Sequence, residues 1–538
     1  MDRAAKRRQQ KLAKKAAAKA KRAGSASLSP VQPTPAIQES LNLAVQHHTQ
    51  GRLPEAESLY QEILRIDANQ PVALHLLGVL AHQVGNNEIA VDLIGKALAV
   101  SPDFAEAHSS LGNAFLALGR PDEAVASYLS ALKTNPNYAE AHTNLGLALM
   151  DLGKREEAEA SYLKALAIKP EFAQAHFNLG NVLLDLGRTD EAVASYQKAL
   201  AIKPDYAETH SNLGAAFKEL GMMDNARASY QDALTIKPDF AEAENNLGGA
   251  FHDMGKLEDA ETCYRGALDK KPEYAEAHYN LHALVLDPDD MMPSIQCMKK
   301  AIEYNPDNRD YRFILGLLLD YSGDPQAAAE HFDQVEKGGN SDRAKLDAWR
   351  YIQSADNKLP VLTGSNIQAF KLALDGAAKD GLVMEFGVRF GTSIRQIACL
   401  VDQDVHGFDS FEGLPEAWHH EPKGTYSTKG VLPSVQENVF LYSGWFEETL
   451  PDFIDKHQDP VRFINIDCDI YSSTKTVLDL LSGQFGQGTV IVFDEFIGNE
   501  NWREDEFKAF QEAVQTYGWA YEYLGFSFMT KQVVVRIN

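Results

Sequence analysis

Seven prolines, Pro102, Pro136, Pro170, Pro204, Pro238, Pro272 and Pro306, stand 34 residues apart. Six glycines from Gly78 to Gly248 and five tyrosines from Tyr128 to Tyr264 keep the same step. A period this strict leaves little choice of architecture: each unit is one supersecondary motif, and its neighbours stack upon it. In the unit "AEAHTNLGLALMDLGKREEAEASYLKALAIKPEF", Leu145, Gly146 and Leu149 stripe a first helix, and Gly153 lies where it must turn. Ala158, Tyr162 and Ala165 then stripe a second helix at helical spacing, and Pro170 stops it. One helix pair cannot bury its own apolar face, so stacked pairs share a core. Nine units begin near residues 37, 71, 105, 139, 173, 207, 241, 275 and 309. The eighth is worn: it lacks the second glycine and carries Pro288 and Pro293.

Period and columns together resemble the tetratricopeptide repeat. Asn144, Asn178, Asn212, Asn246 and Asn280 recur at the sixth position of their units. In arrays of that family this position lies towards the concave groove, where asparagine amides hold an extended peptide. The resemblance therefore implies a peptide or protein partner there. The competing reading is that the amides bond to neighbouring repeats. His108, His142, His176, His210 and His278 read as packing residues.

The formal charge of −25 is unevenly spread. The first 24 residues hold ten Lys/Arg against one Asp, so the rest carries −34 (−25 minus +9). An acidic body argues against nucleic acid as a ligand, since phosphate binding needs a basic face. The head lacks the apolar core of a secretory signal, and no apolar stretch reaches the roughly eighteen residues of a membrane span. Cys263, Cys297, Cys399 and Cys468 are scattered, without a CxxC pair. They fit a reducing compartment, with the cytoplasm as the expected location.

After Glu336 the period ends and strands alternate with helices: "LVMEFG", "VHGFDSF", "NVFLYSG", "RFINIDC", "TVIVFDEF", then "AYEYLGFSF" and "KQVVVRI". Such alternation implies a largely parallel, doubly wound sheet. The last two strands, with only "MT" between them, must form an antiparallel hairpin. In the first loop, "VMEFGVRFGTS", Arg389 and Thr392 stand where a dinucleotide site needs its second and third glycines. The Walker ending is also missing. What remains is acid-x-Gly-x-x-x-Gly, from Glu385 through Gly387 to Gly391, which resembles a loop that binds S-adenosylmethionine. Asp409 ends the second strand, where a carboxylate can accept both ribose hydroxyls.

"GFDSFEGLPE", "YSGWFEETLP", "IDCDIYSSTKTVLDLL" and "GTVIVFDEF" follow in order. Together they resemble the macrocin O-methyltransferase family, over about the last 160 residues. The resemblance implies that Glu385, Gly387, Gly391 and Thr392 line the methionine part of the cofactor, that Asp409 takes the ribose, and that Gly444 and Trp445 border the adenine. It also implies magnesium, held by Asp467 or Asp469 with Asp494 and Glu495. A hard cation held by oxygen ligands lowers the pKa of a hydroxyl and orients it. Asp469, His419 and His420 are the candidates for the base that takes the hydroxyl proton. Where the family has two aspartates and a tyrosine, this chain reads Asp494-Glu495-Phe496. Helix capping is the alternative role for Asp469, and a plain surface loop the alternative for the histidines.

The expected fold is thus an all-α tetratricopeptide superhelix followed by an α/β doubly wound, Rossmann-like methyltransferase domain with a C-terminal antiparallel hairpin. Its expected parts are a basic head and Ser/Pro linker (1–36), the repeats (37–336), a linker with helical pieces (337–365) and the catalytic domain (366–538). The expected activity is O-methyl transfer from S-adenosylmethionine to a hydroxyl acceptor, a sugar or glycan by resemblance. The repeats would recruit the acceptor or a partner protein. The alternative is an interaction scaffold whose methyltransferase-like domain is inactive.

Overall fold

The computed structural model describes residues 34–355, 358–419 and 421–538. The basic head and most of its Ser/Pro linker lie outside the described residues. Nine helix pairs run from Pro35–Thr49 to Pro325–Glu336, and the chain divides after Glu171 into two compact units.

The first unit holds four of the pairs. In its third and fourth pairs the packing rests on a glycine facing a tyrosine, Gly112 on Tyr128 and Gly146 on Tyr162. A Cβ on Gly146 would lie 2.5 Å from the Tyr162 ring, which is 1% exposed. Glycine at this column lets the second helix lay an aromatic ring directly on the backbone of the first. The turn between the two helices passes through Gly153 at φ +71°, the left-handed region that glycine enters without strain. His142 Nε2 donates to the Pro136 carbonyl at 3.1 Å and His108 does the same to Pro102 at 2.8 Å, so these rings tie each unit to the end of the one before.

The second unit holds the remaining five pairs and an eight-stranded sheet. The worn eighth pair, Ala275–Leu284 and Met292–Tyr304, buries Leu286 and Met291 in the core that also contains Phe313 and Trp349. The stretch 337–365, expected as a linker with helical pieces, gives Trp349, Ile352 and Leu362 to that core. It carries the helix Asn340–Ala355, whose Trp349 Nε1 donates to Asp320 Oδ2 at 2.8 Å, and a short strand, β1 (Val361–Leu362).

The sheet continues with β2 (Leu382–Phe386), β3 (Val405–Asp409), β4 (Val439–Ser443), β5 (Val461–Ile466), β6 (Val490–Phe493), β7 (Tyr521–Phe526) and β8 (Val533–Ile537). Their order is β1-β7-β8-β6-β5-β2-β3-β4. Every neighbouring pair is parallel except those made by β8, which runs antiparallel to β6 and β7. The expected terminal hairpin is present, with a loop over 527–532 that is longer than "MT". β2, β6 and most of β5 are buried on both faces, as a sheet covered by helices requires.

Residues at or next to the turns between paired helices seat the α/β domain on the repeats. Gln396 Nε2 donates to the Asp253 carbonyl at 2.7 Å, and Lys429 pairs with Asp190 at 2.9 Å. Gly221 lies so close to Phe390 that any Cβ there would fall on its side chain. Among the described residues no helix is long and apolar enough to cross a membrane.

Candidate functional site

β3 and β4 extend the sheet to one side of β2, while β5 and β6 extend it to the other. Ligands of open α/β sheets bind at such a reversal, beyond the carboxyl ends of the strands. There a cavity of about 460 Å³ opens. Gly387, Arg389, Asp409 and Trp445 line one part of it, and Asp467, Asp469, Asp494 and Glu495 line another.

The wall is shaped by backbone approach. Gly387 sits at φ +92°, and a Cβ on it would lie 1.7 Å from the Asp467 carbonyl oxygen, so only glycine lets β2 turn past the end of β5. Gly391, at φ +74°, is the N-cap of the helix Thr392–Leu400. Asp409 at the end of β3 accepts backbone N–H bonds from Arg389 (2.7 Å) and Phe411 (2.6 Å). Burial pushes its carboxyl above the usual range, and those two donors oppose the shift. Trp445 follows Gly444 and caps the helix Phe446–Lys456.

Gly387, Asp409 and Trp445 therefore stand on the cavity wall, whereas Glu385, Gly391, Thr392 and Gly444 shape what lies behind it. The Glu385 side chain is fully buried, and its Oε1 accepts from Asn465 Nδ2 at 2.9 Å. Burial raises its pKa to about 8. Arg389, which reads in the sequence only as a missing glycine, is a wall residue too. Its guanidinium lies 4.6 Å from the Phe390 ring centroid and 4.8 Å from that of Tyr426. Its place between two glycines of the turn was the available signal.

The acidic part of the cavity is crowded. Burial, reinforced by Glu495, raises both Asp469 and Asp494 to about 7. Burial with the charges of Asp494 and Asp469 pushes Asp467 well above the ordinary range. Glu506, which accepts from the Glu495 N–H at 3.2 Å, is raised by burial and by Asp494. Asp469 holds φ +62°, and the helix Tyr471–Leu481 has Ile470 as its N-cap, without a side-chain bond. Asp469 is therefore not a cap. It is a strained residue whose carboxyl lines the cavity.

His419 stands apart from that wall. Its Nε2 donates to Asp505 Oδ2 at 3.1 Å, and its Nδ1 accepts from Asn501 Nδ2 at 3.1 Å, so both nitrogens are committed. His419 is thus held between Asp505 and Asn501, off the cavity wall. His420 lies outside the described residues.

The magnesium set implied by resemblance is not assembled as a cage. Glu495 gives both oxygens to Lys531 Nζ (3.0 and 3.0 Å), and Asp494 Oδ1 accepts from Gln532 Nε2 at 2.6 Å. Among the described residues no three or more His, Cys, Asp or Glu side chains come together as a metal site. The donor set does not fit the cation.

The asparagine column links repeats. Asn144 Nδ2 donates to Asn113 Oδ1 (3.0 Å), Asn212 to Asn181 (2.9 Å) and Asn280 to Asn245 (3.0 Å). Tyr128 and Tyr196 hydroxyls donate to Asn113 and Asn181 as well. Asn178 Oδ1 accepts from Gln174 Nε2 within its own helix, and Asn246 is half-buried.

Comparison with known proteins agrees with this division. A family model described as a methyltransferase domain matches residues 384–496. Tetratricopeptide models match 40–62, 112–153, 146–187, 180–221, 207–240, 248–287 and 294–343. Similar solved structures include MamA, at 28% identity over 31% of this chain and 97% of that one (TM-score 0.29). A thermophilic repeat protein from Thermus thermophilus is 29% identical over 34% of this chain and 99% of its own (TM-score 0.30). YrrB, a repeat protein with an unusual peptide-binding site, is 24% identical over 36% and 100% (TM-score 0.32). No curated protein sequence matches the chain significantly. The chain joins tetratricopeptide repeats to a methyltransferase domain.

Proposed function

We propose that the C-terminal domain transfers a methyl group from S-adenosylmethionine to a hydroxyl of a sugar or similar acceptor, as its likeness to the macrocin O-methyltransferases implies. The repeats recruit the acceptor or a partner protein, with Asn144, Asn178, Asn212, Asn246 and Asn280 as the proposed groove contacts. The observation that carries this reading is Asp409, whose carboxylate is held at the cavity wall by two backbone donors beside the glycine turn. A carboxylate fixed there is suited to accept two hydroxyls of a ribose.

When bound, the cofactor would supply a sulfonium methyl group, its sulfur leaving with the C–S electron pair. The residues supply position and proton removal. Gly387 admits the methionine part without a side chain in its way, and Trp445 offers a ring face to the adenine. Asp469, raised to about 7, takes the acceptor's hydroxyl proton. A base poised near the working pH is the effective one. No step is given to magnesium.

Calorimetric titration of the purified chain with S-adenosylhomocysteine tests this, beside Asp409→Ala. Micromolar binding that is lost in the variant is the expected result. No heat from either protein would sink the cofactor reading and leave the repeats as an interaction scaffold.

A further inference from the structure

The antiparallel register of the terminal hairpin does more than close the sheet. Phe493 of β6 faces Val533 of β8. Followed past the strand ends, the same register sets Asp494 opposite Gln532 and Glu495 opposite Lys531. The side chains keep that pairing: Gln532 Nε2 donates to Asp494, and Lys531 Nζ donates to both oxygens of Glu495. Lys531 holds φ +58°, which a non-glycine residue adopts only when its surroundings fix it. Its carbonyl accepts the Ile497 N–H at 3.3 Å, and its stem packs at the backbone of Gly498. The hairpin loop is thus pinned on the segment after β6, with its ammonium at the acidic part of the cavity.

We propose that Lys531 is the built-in cation of this site, standing where a divalent metal would otherwise be needed. It acts through Glu495 and is a positioning residue. A divalent ion held by the set that the resemblance implies needs free carboxylate oxygens of Glu495 and its acidic neighbours turned to one point. Glu495 has committed both of its oxygens to Lys531 and Asp494 one of its own to Gln532, and among the described residues no three acids converge as a metal site. The ammonium also faces Asp469 and Asp494 and offsets part of their mutual repulsion. The acids thereby stay clustered at the cavity without a bound metal. This role in methyl transfer rests on the function proposed above, but the occupancy of the acidic cluster does not.

The test is Mn²⁺ binding to the full chain, followed by electron paramagnetic resonance, for the natural protein, Lys531→Met and Lys531→Arg. The natural protein and Lys531→Arg should bind Mn²⁺ only weakly, and Lys531→Met at least about tenfold more tightly. Methyl transfer by the natural protein should survive a chelator, and Lys531→Met should lose rate that Lys531→Arg retains. Saturable micromolar Mn²⁺ binding by the natural protein would overturn the proposal without any variant, as would chelator-sensitive transfer. A folded Lys531→Met that gains no affinity would overturn it equally. S-adenosylhomocysteine binding, titrated in parallel, should be unchanged in both variants. Its absence from the natural protein would count against methyl transfer and leave the Mn²⁺ comparison readable.

Discussion

The hydrogen bonds that join the repeats pair neutral groups, whereas the polar groups of the cavity are crowded acids. In the repeats, Asn144 finds Asn113, Tyr196 finds Asn181, and the histidines find proline carbonyls six residues back. Each is a neutral donor meeting a neutral acceptor, the inexpensive way to bury polarity. In the cavity, burial raises the pKa of Asp467, Asp469, Asp494 and Glu506, and acidic neighbours add to it. A cluster of that kind weakens the fold, so its presence points to chemistry rather than to packing. One region is organised for stability and repetition, the other for a task.

That contrast is easiest to break at the cavity. Asp469→Asn should cut methyl transfer about 10²–10⁴-fold, the range of a lost general base. Because the base works ionised and its pKa is raised to about 7, the natural rate should climb with pH through that value and level off above it. The variant should be flat across the same window. A rate in Asp469→Asn that still rises near pH 7 would move the base elsewhere.

In the repeats the largest effect should come from filling the gap above a tyrosine. Gly146→Val forces the Tyr162 ring off the first helix and should cost about 1–3 kcal/mol, as overpacking does. The loss should appear as faster hydrogen exchange in the helices Ala139–Asp151 and Arg155–Ile168, with cofactor binding unchanged. Protection equal to that of the natural chain would mean that the two helices separate freely. The smallest effect belongs to Lys429→Ala. Its pair with Asp190 joins two largely exposed side chains, and surface pairs of this kind are close to neutral. No measurable shift in the unfolding midpoint is expected.

Legibility in the sequence follows the same division. The repeats announce themselves because each residue's task recurs every 34 positions, so Gly146 and Tyr162 are read with Gly180 and Tyr196 beside them. The strands of the sheet were readable as apolar runs, and the final hairpin as a short break between two of them. Asp409 and Gly387 were readable because one strand-turn-helix carries both. Lys531 was not, since it lies 36 positions from Glu495 and meets it only through the register of β6 with β8. The edge strand Val361–Leu362 is two residues long, too short to leave a pattern. His419 looked available because Asp505 and Asn501, which hold its ring, come more than eighty positions later.

Gly221 seats on Phe390, and the next residue back, Arg389, gives the amide that holds Asp409. The sixth repeat and the catalytic turn are thus parts cut to one another. A chimera that exchanges this repeat for a consensus unit would have to keep a bare backbone at that turn, or accept a displaced Asp409 carboxylate. Drift in the repeats is therefore least free where they touch the enzyme, and recombination of the two modules would succeed at junctions that leave repeats five to nine attached to the sheet.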